Sequence, residues 1–243
     1  MNSSGNKILV TGGASGIGLG MAARFLQEGN TVFICGRRQS ALDEAARAHP
    51  GLITHACDLS REDGRFELYE WVATTHPDLN VLVNNAGIQQ WMRVTDLDFF
   101  ERAKEELATN IEAPLHLTSL FLQLPSLTTI VNVTSGLAFS PLAQVPVYSA
   151  TKAFFRSFTQ SLRHQLKARG VEVIEAIPPA LNTDLGGKGL HDAYPPVSDF
   201  IDAIFAQLKE GKNELTFGFS EAMRTAGPEQ LQAAFARMNP EAK

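Results

Sequence analysis

A doubly wound α/β fold, with seven parallel strands in one sheet and helices on both faces, is what this sequence predicts. Three observations lead there. Short apolar runs with no polar alternation recur along the chain, as parallel strands covered on both faces require. Segments of helical pattern separate them, so strand and helix alternate from end to end. A glycine-rich turn joins the first apolar run to the first helix, a local geometry suited to receiving a phosphate.

Ile8-Leu9-Val10 reads as the first strand, Thr11-Gly12-Gly13 as the turn, and Met21 to Leu26 as a helix ending near Gly29. Gly12, Gly16 and Gly18 fall where the turn must be tight and the backbone must approach a pyrophosphate. Ser15 and Ile17 complete the stretch at the helix amino terminus, where free N–H groups and the macrodipole favour an anion. The spacing is TGxxxGxG, not the GxGxxG fingerprint, and such glycines also end strands for structural reasons alone. Thr31 to Cys35 is the second strand, ending in Gly36-Arg37-Arg38. An acid at this point would bind a ribose 2′-hydroxyl, whereas arginine accommodates a 2′-phosphate. No acid is present, so the expectation is NADP(H) in preference to NAD(H), which remains possible. The arginines could instead solvate a helix entry. After the third strand, Leu52 to Cys57, Asp58 and Leu59 are candidates for the adenine edge, although Asp58 could equally cap a helix.

The fourth strand, Val81-Leu82-Val83, runs into Asn84-Asn85-Ala86-Gly87. These amides either face the cofactor or form a hydrogen-bonded plug between strand ends. The fifth strand, Thr128 to Val133, places Ser135 at its carboxyl end, where open α/β sheets bind ligands. Val147 to Gly170 reads as a long helix. Near its start Tyr148 and Lys152 stand four residues apart, hence stacked on one face. An ammonium beneath a phenol favours the phenolate and lowers its pKa, which suits exchange of a proton with a carbonyl or alcohol oxygen. A half-exposed tyrosine beside a surface lysine has the same spacing. Val171 to Ile177 is the sixth strand. A helix over 197–210, a seventh strand over 214–218 and a helix over 228–238 follow.

Thr11-Gly12-Gly13-Ala14-Ser15-Gly16-Ile17-Gly18, Asn84-Asn85-Ala86-Gly87, Asn110, Ser135 and Tyr148-Ser149-Ala150-Thr151-Lys152 together resemble the single-domain short-chain dehydrogenase/reductase family, in order and spacing over essentially the whole chain. The resemblance implies a Rossmann-like fold with Tyr148 as general acid/base. Lys152 would lower its pKa and bind the nicotinamide ribose, Ser135 would orient the carbonyl, and Asn110 would hold a water in a proton relay. After the sixth strand the family carries Pro-Gly and then Thr. Here Pro178-Pro179-Ala180-Leu181-Asn182-Thr183 substitutes proline for the glycine, with Pro178 and Thr183 still standing at cofactor positions. Segments around Ser135–Phe139, Pro146–Tyr148 and Ser161–Leu166 are most similar to the subgroup named for the D-alanine–teichoic-acid operon.

A chain of 243 residues is expected to form one dinucleotide-binding and catalytic domain over 1–243. The net charge of −5 provides no basic footprint for nucleic acid. No apolar stretch reaches a membrane span, and residues 1–7 lack a signal peptide's core. Cys35 and Cys57 read as small core residues, the six histidines show no metal-site spacing, and the cytoplasm is the expected compartment. Apolar residues beyond one stripe on helices near Leu107–Leu124 and Phe154–Leu166 point to a homodimer or homotetramer, unless the monomer covers both sides. Residues 181–196, rich in Gly and Pro, are expected to form a lid, with His191 or Tyr194 turned to the cavity or to solvent. Trp91, Phe139 and Val145 are candidates for an apolar pocket wall or for core. The expected activity is hydride transfer between nicotinamide and a small carbonyl or alcohol. A dinucleotide-binding sensor that does not turn over is the alternative, and the complete Asn110, Ser135, Tyr148 and Lys152 set argues against it.

Overall fold

Each apolar run becomes a strand because both of its faces are covered. In the computed structural model, which describes residues 1–240, Ile8 and Val10 point into one core while Leu9 points into the other. The strands are β1 (Lys7–Thr11), β2 (Thr31–Gly36), β3 (Ile53–Ala56), β4 (Val81–Asn84), β5 (Thr129–Val133), β6 (Glu172–Ile177) and β7 (Glu214–Thr216). They form one sheet in the order β3-β2-β1-β4-β5-β6-β7, and every pairing is parallel. Helices α1 (Gly16–Gln27), α2 (Gln39–Ala48), α3 (Glu62–Thr75), α4 (Phe99–Leu107), α5 (Ala113–Phe121), α6 (Pro146–Leu166), α7 (Val197–Lys209), α8 (Phe219–Thr225) and α9 (Pro228–Met238) complete it.

The α1 and α7 helices bury Met21, Phe25, Phe200 and Phe205 against one face, with the Phe25 and Phe205 rings 4.7 Å apart. On the other face α3, α5 and α6 bury Leu68, Leu117, Phe121 and Leu162. Phe33 on β2 has no exposed surface and meets Trp71 edge-on at 5.9 Å. Phe33→Ala should therefore cost about 3–5 kcal/mol in urea unfolding; a loss below 1 kcal/mol would contradict this packing.

Two differences from the sequence expectation bear on the site. The helix expected from Leu107 starts at Phe99, and its middle, Ala108–Glu112, widens into a π turn. Pro114 has no N–H to give to the Asn110 carbonyl four residues back, and its ring would crowd that carbonyl. The wider turn relieves both problems. At its far end α6 tightens into a 3₁₀ turn, Lys167–Arg169, before Gly170 at φ +69°. The order of the sheet matters more. The chain moves outward through β2 and β3 and then returns to place β4 on the other side of β1, so the loops leaving β1 and β4 diverge. A crevice opens between them at the carboxyl ends of the strands.

Candidate active site

Thr11 closes the base of the crevice. Its hydroxyl donates to Val83 O at 3.1 Å and accepts from the N–H groups of Asn85 (3.0 Å) and Ala86 (3.1 Å). The Asn85 amide donates to Thr11 O at 2.9 Å and Gly12 O at 3.2 Å, holding the glycine turn against β4. Asn84 donates to Asn132 and Thr118, tying β4 to β5 and α5. The plug that the two asparagines suggested is thus formed, while Asn85 still faces the crevice. Gly18 is required by space, because a Cβ there would lie 2.4 Å from Gly12 O and 2.4 Å from Asn85 Nδ2. Gly16 is required by backbone, at φ +54°. Ser15, at the N-cap of α1, makes no side-chain cap bond, and no acid stands in the first turn. The first N–H groups of α1 and the Ser15 hydroxyl therefore remain available to an anion.

The crevice is a cavity of about 1060 Å³. Every residue assigned to the cofactor from the sequence lines it: Gly12, Ser15 to Gly18, Arg37, Arg38, Asp58, Leu59, Asn85 to Gly87, Tyr148, Lys152, Pro178 and Thr183. Arg37 and Arg38 are exposed at its edge, and among the described residues neither forms an ion pair. Asp58 is not a helix cap: Arg61 holds that position on α3, and Asp58 Oδ1 instead accepts from Ser60 N (3.0 Å) and Ser60 Oγ (2.8 Å). Thr183 stands over the glycine turn, its methyl 3.5 Å from where a side chain on Gly16 would begin. The sequence reading missed Ser60, Thr109, Val133 and Thr134 as lining residues. Their arrival depends on how separate loops meet, and no local pattern marks it. Cys57, read only as core, is buried and also reaches the cavity wall.

Three strands across the sheet from the arginines that follow β2, Tyr148 and Lys152 line the cavity from α6 beside β5, both nearly fully buried. Lys152 Nζ donates to Val133 O at 2.9 Å and lies 5.5 Å from the Tyr148 ring centroid. Burial reverses the expected shift of the phenol. Tyr148 is driven above the ordinary tyrosine range by desolvation, with the Ser135 hydroxyl opposing and the Glu106 carboxyl reinforcing. Lys152 is pushed down to about 8 by the same loss of water. An exposed ammonium–phenol pair would follow the sequence expectation; here desolvation dominates for both groups. Ser135 is buried at the end of β5, and its Oγ accepts from Leu137 N at 3.1 Å. Asn110 stands on the π turn, outside the cavity lining. Its Oδ1 accepts from Ile88 N at 2.8 Å, and its Nδ2 donates to Ile88 O at 2.9 Å and Thr151 Oγ1 at 3.2 Å.

Two buried acids, Glu106 and Glu175, escaped the sequence reading, and Glu106 is the one beside Asn110. Glu106, a turn before Asn110, is fully buried and accepts the Gln90 N–H. Its only sequence signal was the four-residue spacing from Asn110. In 181–196, Asn182 to Gly186 line the cavity, and the Gly186 backbone comes within side-chain reach of Gln89 and Trp91. His191 packs on Tyr194 with ring centroids 5.6 Å apart and sets Nδ1 against Thr183 O at 3.3 Å. Neither ring lines the cavity, and Tyr194 is exposed. Val145 is fully buried and Phe139 stacks under Arg156, so both belong to packing; Trp91 is exposed beside the cavity mouth.

The donor set fits a nicotinamide dinucleotide. A glycine turn that no Cβ could enter and an acid-free helix amino terminus suit a diphosphate, and unpaired guanidiniums suit a further phosphate. Fold and site together define a dinucleotide-binding α/β protein. Residues 6–193 match the short chain dehydrogenase family, and the chain belongs to that family. It is 42% identical to the uncharacterized oxidoreductase DltE of Bacillus subtilis over 98% of each chain. It is 34% identical to a serine 3-dehydrogenase of Agrobacterium fabrum, covering 73% of this chain and 72% of that protein. A short chain dehydrogenase from Burkholderia cenocepacia, solved in complex with NADP, superposes with a TM-score of 0.83 at 26% identity, covering 98% and 99% of the two chains.

Proposed function

We propose that this protein transfers hydride between NADP(H) and a small carbonyl or alcohol, with Tyr148 as general acid/base. The observation that carries the reading is one cavity lined by Tyr148 and Lys152 beside β5 and by Arg37 and Arg38 just after β2, three strands across the sheet. A bound nicotinamide dinucleotide supplies or accepts the hydride. Gly12, Ser15, Gly16, Ile17 and Gly18 bind the diphosphate, the arginines bind the 2′-phosphate, and Asp58 and Leu59 flank the adenine. Asn85, Ala86, Gly87, Pro178 and Thr183 hold the nicotinamide half. Ser135 orients the carbonyl oxygen, and Tyr148 gives it a proton during reduction or removes the hydroxyl proton during oxidation. A phenol that burial keeps protonated near neutral pH favours reduction. Lys152 binds the ribose, and Asn110 belongs to the relay that returns the proton. Similarity to an NADP-bound structure and to a serine 3-dehydrogenase supports the cofactor and the alcohol–carbonyl chemistry.

Residues 181–196 act in this reading as a lid over the nicotinamide. One 1–243 domain operates as a homodimer or homotetramer, with the exposed Phe100, Leu107 and Phe154 as contact residues. No helix among the described residues is long and apolar enough to cross a membrane, and the proposed setting is the cytoplasm. Replacing both Arg37 and Arg38 by Gln should raise KM for NADPH at least tenfold, the loss of about 1.4 kcal/mol of charge-assisted hydrogen bonding, and leave KM for NADH nearly unchanged. Equal effects on the two cofactors would remove the arginines from 2′-phosphate recognition.

A further inference from the structure

Glu106 is a charged group that neither the fold nor the proposed reaction accounts for. It has no exposed surface, yet only one of its oxygens has a partner, the Gln90 N–H. Its Oε2 is buried with none, and a half-satisfied buried carboxyl is a cost that a well-packed chain rarely retains without a use.

Its surroundings suggest that use. Glu106 and Asn110 are four residues apart on one helical stretch, and they grip the same segment: Asn110 takes both backbone groups of Ile88, and Glu106 takes Gln90. Arg102, one turn earlier, donates to Trp91 O and to Gln90 Oε1. The same Asn110 amide reaches Thr151, which lies between Tyr148 and Lys152 on α6, and α4 packs against α6. Only a turn of helix separates Glu106 from the contact to the Tyr148–Lys152 helix.

We propose that Glu106 is a positioning residue for proton transfer: its carboxylate fixes the Ile88–Trp91 wall through Gln90, and its charge sits one helical turn from the Asn110–Thr151 contact to the helix of Tyr148. This rests on the assignment of Tyr148 as general acid/base. The groups facing Glu106 are few. Arg102 and Glu105 stand on its own helix, Tyr148 and Lys152 on α6, and the Ile88–Met92 segment carries none that titrates. Burial pushes the Glu106 carboxyl up to about 7, with the Gln90 N–H and Arg102 opposing. The Glu106 charge in turn raises Tyr148. The sign follows. Above about pH 7 Glu106 is ionised, a phenolate nearby is disfavoured, and Tyr148 remains an acid. Removing that charge lowers the pKa of Tyr148.

Glu106→Gln keeps an oxygen for the Gln90 N–H and deletes the charge; Glu106→Asp keeps the charge but withdraws from Gln90. The acid limb of kcat/KM for alcohol oxidation, which needs the phenolate, should move down by about one pH unit in E106Q, the scale of one nearby charge at an effective dielectric constant near 20. In E106D the limb should stay in place while kcat falls. An unmoved limb in E106Q, or an equal movement in both variants, would overturn the role of the charge. A second readout needs no turnover: phenolate absorbance followed to about pH 11, above the ordinary tyrosine pKa, with the Y148F spectrum subtracted. E106Q should show more phenolate than wild type at each pH, and equal curves would also overturn the proposal. If wild type shows no turnover but the absorbance curves separate, the electrostatic coupling stands and the assigned reaction falls.

Discussion

Tyr148→Phe should lower turnover with the best substrate by ~10²–10⁴-fold, the usual loss on removing a general acid, while NADPH binding stays within about threefold of wild type, a difference below 1 kcal/mol. The substitution removes one oxygen from a ring already buried against α6 and the cavity wall. Packing is retained, and the cofactor loses at most one hydrogen bond. A barrier increase of about 3–5 kcal/mol with preserved binding isolates proton transfer as the lost function. Steady-state kinetics beside a fluorescence titration of NADPH measure both quantities. Loss of binding in parallel with turnover would show that the phenol serves the cofactor site more than the chemistry. Unchanged turnover would end the assignment of Tyr148.

The second large effect falls on the glycine turn. Gly18→Ala places a methyl 2.4 Å from Gly12 O and 2.4 Å from Asn85 Nδ2. One of these is backbone in the tightest part of the turn, and the other holds that turn to β4. Neither can yield without displacing the α1 amino terminus from the strand ends. Such overpacking costs about 1–3 kcal/mol, and the same displacement should weaken NADPH binding at least tenfold, about 1.4 kcal/mol. Thermal unfolding with and without NADPH measures both: a lower melting temperature and a smaller stabilisation by the cofactor. Normal stability and normal cofactor stabilisation in G18A would mean that the turn is looser than its contacts imply.

Much of this was legible in the sequence because its causes are local or periodic. Strands covered on both faces lose polar alternation, so Ile8 to Val10 and Val81 to Val83 declare themselves as interior parallel strands. A turn that excludes side chains needs glycine, and Gly12, Gly16 and Gly18 mark it. Residues four apart on a helix share a face, which brings Tyr148 and Lys152 to the same wall. What was not legible depends on burial between distant segments. The sign of the Tyr148 shift, the burial of Glu106 and the route of the Asn110 amide to Ile88 all arise where α4, the π turn and α6 meet. No propensity distinguishes Glu106 from the exposed Glu105 beside it. Asp58 misled for a similar reason. Aspartate serves helix caps and Asx turns alike, and the three residues before α3 begins decide for the turn. The rings of residues 181–196 depend on loop packing too: His191 and Tyr194 pack on each other at a tilt, and neither lines the cavity.

The most direct test is consumption of NADPH, with NADH in parallel, across aliphatic, aromatic and dicarbonyl compounds. The result expected is turnover with NADPH, a clear preference among the carbonyls, and much weaker turnover with NADH. Tight NADPH binding without turnover across the panel would contradict the reductase assignment and point to a dinucleotide-binding sensor, whereas preference for NADH would contradict the role given to Arg37 and Arg38.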